Sequence, residues 1–245
     1  MYQTPINENL TLSSLEEGLT FGTDAYLLSA YLRKRPRGRA ADLGAGTGVI
    51  ALLCAAREKF AHITCVELQE KFAALITHNA RENKLEDQIS SMCADVRTLT
   101  ATAVGGELDA AFANPPYFRQ KGGFENKTSE RDMARRETAG DIFDFCRAAA
   151  KILKHGGLFT VVFCAERTSE LLCAMTEASL APKRMTLVYP TRDHAPSIVL
   201  VEAKKGAGQG IFVTKPLLLK ENGEESPEYR YIYENNAFPP EYFDA

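Results

Sequence analysis

A short glycine-rich segment with an acid in front of it is the first part of the sequence that could do chemistry. It covers residues 42–48, D-L-G-A-G-T-G, between a strand-like stretch and a helical one. Glycines at Gly44, Gly46 and Gly48 let the backbone turn tightly and approach a ligand closely, because they lack Cβ. A carboxylate at Asp42 would repel a pyrophosphate but attract an ammonium group. The segment therefore favours S-adenosylmethionine, whose methionine moiety is cationic at both its amine and its sulfonium.

Two further acids follow the next two strand-like stretches. Glu67 lies at the end of the second strand of the chain, the first one after the glycine loop. A carboxylate there can accept hydrogen bonds from both ribose hydroxyls of a bound nucleoside. Asp95 stands just past the third strand, where it is placed to accept from the cofactor's adenine amino group. Either acid alone would be an ordinary surface carboxylate. Strand, glycine loop, helix, strand and acid in register predict a cofactor site.

The fourth strand-like stretch, Leu108–Asn114, ends in a motif made of Asn114, Pro115, Pro116 and Tyr117. On its own the motif would be a rigid strand-ending turn, since proline cannot continue a strand ladder. Ligands of open α/β sheets, however, bind beyond the carboxyl ends of the strands. The sequence therefore predicts that Asn114 faces the same crevice as the glycine loop.

The residue types of this motif suit methylation of an exocyclic amine on a purine. Such an amine is a poor nucleophile because its lone pair is delocalised into the ring. The Asn114 side-chain oxygen and the Pro115 carbonyl can accept its two hydrogens and stabilise the positive charge that develops on nitrogen. Tyr117 offers a flat face on which an extruded base can stack. This chemistry needs no strong base and no metal.

An α/β fold must position these residues. Short β-like runs alternate with helical patterns, which predicts a mostly parallel sheet with helices on both faces. The last two strands are joined without a helix, which suits an antiparallel strand at the sheet edge. The predicted strands are Arg39–Leu43, His62–Leu68, Ile89–Cys93, Leu108–Asn114, Gly157–Cys164, Arg184–Tyr189 and Ile198–Ala203. The predicted helices are Asp24–Arg35, an amphipathic one, and Val49–Lys59, Lys71–Asn83, Asp141–Lys154 and Thr168–Ala178.

The chain has 245 residues, of which 45% are hydrophobic and 25% charged, the balance of a globular domain. We expect one domain, with an extension at 1–38, a substrate loop at 117–140 and an acidic tail at 221–245. Neither a secretory signal nor a membrane span is expected, so the protein is expected in the cytoplasm. Its six cysteines show no C-x-x-C pair, so neither a zinc site nor a disulfide framework is expected.

The charge is unevenly distributed along the chain. Residues 221–245 carry a net charge of −6, so residues 1–220 carry +3. Two basic clusters occur, one at 33–39 and one at 119–136. Each cluster is either a solvated face or a set of phosphate contacts beside the crevice. For the first cluster a position at the opposite edge of the sheet is also open. Arg135 and Arg136 are our candidates for RNA contacts.

Together, these motifs resemble the Rossmann-like class I methyltransferases that act on amino nitrogens. More narrowly, the chain is similar to the bacterial tRNA adenine-N6 methyltransferases that modify the adenine beside the anticodon of valine tRNA. The narrower resemblance rests on F-G-T-D-A at 21–25, Phe118, A-R-R-E at 134–137 and V-E-A-K-K-G at 201–206. It implies cofactor contacts from Thr23 and Asp24, substrate contacts from Phe118, and tRNA as partner.

Other acceptors remain open at this point. Protein-glutamine methyltransferases of release factors use the same N-P-P-Y tetrapeptide, although they generally carry a separate N-terminal helical domain. An amino nitrogen of rRNA is a further alternative. DNA adenine methyltransferases usually have a target-recognition domain, for which this chain has no stretch. A protein that only binds RNA is disfavoured by the intact acids and the intact motif, and the oligomeric state stays open.

Overall fold

The central feature of the structure is a mixed, mostly parallel β-sheet with helices on both faces, as the alternation of strands and helices predicts. The structure is a computed structural model that describes residues 1–7, 9–15, 22–115 and 140–243. The long strands are β1 (Tyr2–Asn7), β2 (Leu10–Ser14), β3 (Arg35–Leu43), β4 (Phe60–Glu67), β5 (Ile89–Cys93), β6 (Leu108–Ala113), β7 (Leu153–Cys164), β8 (Leu180–Tyr189) and β9 (Ile198–Lys205).

Four two-residue strands, six α-helices and three short 3-10 helices complete the described elements. The short strands are β10 (Phe212–Val213), β11 (Leu217–Leu218), β12 (Lys220–Glu221) and β13 (Glu224–Glu225). The helices are α1 (Thr23–Tyr31), α2 (Val49–Ala55), α3 (Glu70–Glu82), α4 (Ile142–Ile152), α5 (Thr168–Glu177) and α6 (Pro227–Asn235). The sequence did not predict seven of the strands and helices: β1, β2, β10–β13 and α6.

The long strands of the main sheet run in the order β8-β9-β7-β6-β3-β4-β5, with β10 and β11 on the outer side of β8. β9 is antiparallel to both of its neighbours, β7 and β8. The predicted antiparallel strand is therefore present, but its expected place at the sheet edge was wrong. Residues 198–203 of β9 are buried without interruption, as in a strand covered on both faces, and such a strand belongs in the interior of a sheet.

Helix α1 is shorter than expected and is not amphipathic. It ends at Tyr31 instead of Arg35, and every residue from Ala25 to Tyr31 is buried. One reason is that α6 packs against α1, in addition to the sheet and α2. The rings of Tyr26 and Tyr233 stack with centroids 4.8 Å apart, and the Tyr26 hydroxyl donates to the Tyr233 carbonyl at 2.6 Å. At the end of α1 the buried Lys59 ammonium donates to the carbonyls of Ser29, Ala30 and Leu32.

Each face of the sheet packs against its own apolar cluster, and alternate residues of a strand enter opposite clusters. On β6, Phe112 joins the cluster under α1, α2 and α3, whereas Ala111 and Ala113 join the one under α4 and α5. The acidic C-terminal segment also contributes, since Phe238 and Tyr242 are buried in the first cluster. Across the described ranges, no helix combines the length and the apolar character that a membrane crossing requires.

Candidate functional site

The carboxyl ends of four adjacent parallel strands form the edge at which the predicted site residues meet. β3 is paired in parallel with β4 and β6, and β4 with β5. Leu43 lies opposite Ala113, so the glycine loop and Asn114 leave the sheet at the same level. Glu67 lies opposite Cys93, which brings the segment around Asp95 to the same edge. This is the arrangement expected of ligand-binding open α/β sheets.

The glycine loop takes the backbone conformation that its sequence demands. Gly44, Gly46 and Gly48 have φ angles of 71°, 56° and 81°, in the left-handed region that side chains disfavour. The Gly44 amide donates to the Val66 carbonyl at 2.8 Å, which ties the loop to β4. A Cβ atom added at Gly46 would meet no described atom within 4 Å. The loop therefore presents bare backbone to open space at this position.

Glu67 lies directly beside the loop, and the residue is only 8% exposed. One carboxylate oxygen accepts from the Gly46 amide and the other from the Gln69 amide, both at 2.9 Å. The carboxylate thus fixes the tip of the loop against the end of β4. Each oxygen accepts one of these bonds, and a carboxylate oxygen has capacity for a second. Glu67 is therefore able to receive hydroxyl donors as well as hold the loop.

Asp42 lies beneath the loop with its residue only 1% exposed. No described residue makes a hydrogen bond of good geometry to either of its carboxylate oxygens. Burial raises the pKa of Asp42 to about 8, and the nearby Glu67 carboxylate adds to this rise, while the Ala51 amide opposes it. A buried acid of this kind gains from any cation placed close to it.

These observations fit S-adenosylmethionine, the cofactor that the sequence motif implies. The unpartnered Asp42 carboxylate suits a cationic ligand, and the open side of Gly46 lets a ligand approach the backbone closely. A neutral ligand would leave Asp42 uncompensated. The site is therefore matched in charge to a ligand that carries an amine and a sulfonium.

The raised pKa of Asp42 makes a pH-dependent prediction. A carboxyl group whose pKa is raised by folding costs stability as the pH rises from about 4 toward 8, because the unfolded chain has released a proton that the folded chain keeps. We expect Asp42→Asn to be more stable than the unmodified protein at neutral pH, with a gain that vanishes near pH 4. We also expect it to bind S-adenosylmethionine more weakly, and to lose the increase in affinity that ionisation of Asp42 provides up to about pH 8.

Melting curves and calorimetric titrations with S-adenosylmethionine between pH 4 and 9 measure both effects. Asp109→Asn is the matched control. Asp109 lies near the start of β6, at the end of the sheet opposite the glycine loop, and its carboxylate accepts from the Lys154 ammonium and the Arg39 amide. Equal affinity and an equal pH profile in Asp42→Asn and the unmodified protein would contradict the role of Asp42.

Asp95 is at the expected edge, but its carboxylate is already occupied. It accepts from the Arg97 amide at 2.9 Å and from the Arg97 guanidinium at 2.6–2.9 Å. The hydrogen bond from the Arg97 side chain is the main reason that the pKa of Asp95 is lowered. Accepting an adenine amino group, as the sequence predicts, would require Arg97 to give up part of this interaction.

Asn114 and Pro115 follow the end of β6, and Asn114 meets the start of α1 there. The Asn114 side-chain amide donates to the Asp24 carboxylate at 3.2 Å, while Thr23 beside it is exposed. The motif at the strand end and the segment at 22–24 are thus brought together across 90 positions of sequence. The remaining predicted site residues, Pro116, Tyr117, Phe118, Arg135 and Arg136, lie outside the described residues.

The first basic cluster lies at the opposite edge of the sheet. Arg35 begins β3, whose eight residue steps separate it from the site edge by roughly 26 Å at the usual rise of a strand. Arg33 pairs with Glu202 at 2.9 Å, and Arg39 donates to the Gly105 carbonyl at 2.9 Å. Of the two positions left open for this cluster, the structure therefore has the one at the opposite edge, because the strand carries it away from the glycine loop.

Asn79 on α3 is a residue of the site that sequence reasoning missed. Its fully buried amide donates to the Thr47 carbonyl in the glycine loop at 2.9 Å. The same side chain accepts from the Ser13 amide at 2.9 Å and donates to the Ser13 carbonyl at 3.2 Å. It therefore joins the N-terminal β1–β2 hairpin to the loop. A single asparagine within a helix carries no sequence signal for such a role.

Comparison with protein families gives one match over most of the chain. A family model described as methyltransferase small domain matches residues 16–178. The tRNA1(Val) (adenine(37)-N6)-methyltransferase of Escherichia coli O9:H4 is 34% identical over 143 residues, 58% of this chain and 57% of that protein. The protein of the same name from a Shewanella species is 29% identical over 152 residues, 62% of this chain and 63% of its own. The chain thus spans about three fifths of the length of these curated relatives.

Solved structures agree on the fold. A protein from Agrobacterium tumefaciens, described as a predicted O-methyltransferase, has a TM-score of 0.71 at 24% identity, over 89% of this chain and 98% of that one. Geranyl diphosphate C-methyltransferase from Streptomyces coelicolor, solved with S-adenosyl-L-homocysteine, has a TM-score of 0.52 at 16% identity, over 74% of this chain and 78% of that one. At these identities the likeness shows the fold alone, the Rossmann-like α/β fold of class I methyltransferases.

Proposed function

Because the chain belongs to the methyltransferase small domain family, we propose that it transfers a methyl group from S-adenosylmethionine to the exocyclic amino nitrogen of an adenine in RNA. The observation that carries the proposal is the shared sheet edge, where the glycine loop and Asn114 leave adjacent strands at the same level. A methyl donor held on the loop and an amine held at Asn114 would therefore be neighbours.

The residues of the loop would hold the cofactor in distinct ways. S-adenosylmethionine, when bound, supplies an electrophilic methyl group on its sulfonium. Gly44, Gly46 and Gly48 would let its methionine moiety lie against the backbone, and Asp42 would offset its positive charge from below. Glu67 would accept the ribose hydroxyls. Asp95 would accept the adenine amino group, with Thr23 closing the site from the start of α1.

Asn114 would prepare the acceptor amine. Its amide uses the donor end for Asp24, which leaves Oδ1 to accept an N–H from the substrate. The Pro115 carbonyl would accept the second hydrogen, so the nitrogen lone pair turns away from the ring toward the methyl group. Both oxygens would then stabilise the cationic nitrogen of the transition state. Pro116 would hold the turn rigid, and Tyr117 would stack on the base.

The proposed target is the adenine beside the anticodon of a tRNA, and the proposed place of action is the cytoplasm. The curated relatives named for this reaction support the choice, as does the resemblance at 21–25, 134–137 and 201–206. Phe118, Arg135 and Arg136 would contact the RNA. Among the side chains that the structure describes, no group of three or more potential ligands is arranged to hold a metal ion.

The acceptor is tested by offering the purified protein labelled S-adenosylmethionine with total tRNA, ribosomal RNA and a release factor in parallel. Transfer to tRNA, with N6-methyladenosine found by nucleoside mass spectrometry, is the expected result. Label in ribosomal RNA would move the target to a different RNA. Label in the release factor, recovered as N-methylglutamine, would overturn the RNA proposal in favour of the protein-glutamine reaction.

A salt series tests whether phosphate contacts provide the affinity for RNA. We expect log affinity to fall with log salt concentration, with a slope of about −0.7 for each single-strand phosphate neutralised. Arg135→Ala and Arg136→Ala should each raise the KM for RNA and make the slope shallower, while S-adenosylmethionine affinity stays unchanged. Filter binding beside melting curves separates this outcome from a structural one, in which the variants melt earlier and RNA affinity per folded molecule stays the same.

A further inference from the structure

The contact between Asp24 and Asn114 gives the acceptor site a feature that the motif alone does not contain. Asp24 lies in the first turn of α1, and Asn114 follows the last residue of β6. The Asn114 Nδ2 atom lies 3.2 Å from the Asp24 Oδ2 atom, and both residues are half-buried. The other carboxylate oxygen of Asp24 accepts from the Ala25 amide at 2.9 Å, which fixes the carboxylate on the helix.

An asparagine amide has two ends of nearly equal shape and opposite function. Rotation by 180° would exchange the NH2 donor with the oxygen acceptor, and only the oxygen can receive a hydrogen from an amine. An ionised carboxylate accepts and never donates, so it stabilises only the orientation in which the NH2 group faces it. The pairing with Asp24 therefore selects the orientation that leaves the Asn114 oxygen for the substrate.

The residue before this turn provides the space for the carboxylate. Gly22 has φ −77° and ψ 165°, an extended conformation that any residue adopts, so its backbone does not require glycine. A Cβ atom at this position would instead overlap the Asp24 Oδ1 atom. Alanine at position 22 would therefore displace the carboxylate without changing its chemistry.

We propose that Asp24 is a positioning residue: its carboxylate holds the donor end of the Asn114 amide, and thereby presents the acceptor end to the amine that is methylated. This inference rests on the proposed function of Asn114. It assigns Asp24 to the acceptor side of the site, whereas the sequence resemblance implies that Asp24 contacts the cofactor. Gly22 serves the same purpose by leaving room for the carboxylate.

The decisive experiment is a double-mutant cycle measured as kcat with saturating S-adenosylmethionine and RNA. Asp24→Ala should lower kcat about 10- to 100-fold, the range expected for loss of a hydrogen bond to a charged group. Asp24→Asn, which keeps an acceptor oxygen, should lie in between. In an Asn114→Ala background, Asp24→Ala should have almost no further effect, because the group that it positions is gone. Independent, multiplicative losses would overturn the proposal.

Gly22→Ala provides a test that leaves both functional side chains intact. It should lower kcat in the same direction as Asp24→Ala, with S-adenosylmethionine affinity and melting temperature close to those of the unmodified protein. Glu170→Gln is the control for a general helix effect, because Glu170 is the acid in the first turn of α5. A drop in cofactor affinity with unchanged kcat at saturation, in either Asp24→Ala or Gly22→Ala, would instead make Asp24 a cofactor ligand and refute the positioning role.

A readout without turnover keeps this inference distinct from the proposed function. The two side-chain amide protons of Asn114, followed by NMR in 15N-labelled protein, should be well separated in chemical shift while one of them is bonded to the carboxylate. Asp24→Ala and Gly22→Ala should reduce this separation, and Glu170→Gln should not. An unchanged spectrum would refute the pairing even in an active enzyme, whereas a protein inactive on RNA with the expected spectrum would refute only the proposed acceptor.

Discussion

Asn114→Ala is expected to lower the rate of methyl transfer by about 10²-fold or more, with S-adenosylmethionine affinity nearly unchanged. The residue leaves β6 beside the glycine loop and takes no part in the loop itself. Removing one preorganised group that stabilises charge in a transition state typically costs 10²- to 10³-fold, which is about 2.7–4 kcal/mol. Single-turnover rates and a separate binding titration distinguish the two effects.

Asn83→Ala is a matched control for this substitution. Asn83 also donates from its side-chain amide, in this case to the Thr11 carbonyl at 2.8 Å, but it lies where α3 meets the N-terminal hairpin. Its loss should affect the docking of the hairpin and leave the chemical step largely unaffected. If Asn114→Ala keeps most of the turnover of the unmodified protein, the acceptor role of the motif is wrong.

Glu202→Ala should cause a large loss of stability although it lies outside the site. Glu202 accepts from the Arg184 guanidinium at 3.1 Å and from Arg33 at 2.9 Å. Arg184 is only 1% exposed, so removing the carboxylate would leave a buried charge without its charged partner. Breaking a buried pair by removing one partner costs about 3–5 kcal/mol in the free energy of unfolding. For a chain of this size that lowers the melting temperature by roughly 6–20 °C.

The double variant Arg184→Met, Glu202→Leu separates charge from packing. Because it removes both charges and keeps similar volumes, we expect it to recover much of the stability that Glu202→Ala loses. Recovery will be incomplete, since the Arg184 guanidinium also donates to the Tyr31 carbonyl at 2.7 Å and stacks over the Tyr31 ring. If Glu202→Ala melts within a degree of the unmodified protein, water has reached the pair and the buried-charge argument fails.

Local sequence signals were sufficient for the central strands and for the glycine loop. Hydrophobic runs with glycine between them predict β3 and β4 and the turn after β3, because those residues depend on their immediate neighbours. The position of β9 was not predictable in the same way. The order of strands in a sheet depends on long-range pairing, and the connection at 190–197 is equally short whether β9 lies at the edge or beside β7. Likewise, the burial of Ala25–Tyr31 in α1 depends in part on α6, which packs against it from about two hundred residues later in the chain.

The site shows the same division. Residue types predicted which acids and amides gather at the sheet edge, since parallel strands bring their carboxyl ends together. Their partners were not predictable, because each comes from a distant part of the chain. Asp24 and Asn114 are 90 positions apart, and Asn79 reaches the glycine loop from 32 positions away. Arg97, which binds the Asp95 carboxylate, is only two residues away in the sequence. An acid and a base at this spacing are nevertheless too common to indicate a site.

The packing of α1 against the C-terminal segment also has a consequence for synthesis of the chain. The Tyr31 ring packs edge-on against Phe238 at 5.0 Å, and Arg184 donates to both the Tyr31 and the Tyr242 carbonyls. Because a chain is made from its N-terminus, α1 is synthesised more than two hundred residues before Phe238 and Tyr242. While the intervening residues are being made, the nascent chain therefore carries α1 without this cover. Chains that stall before Phe238 would lack this part of the cover of α1.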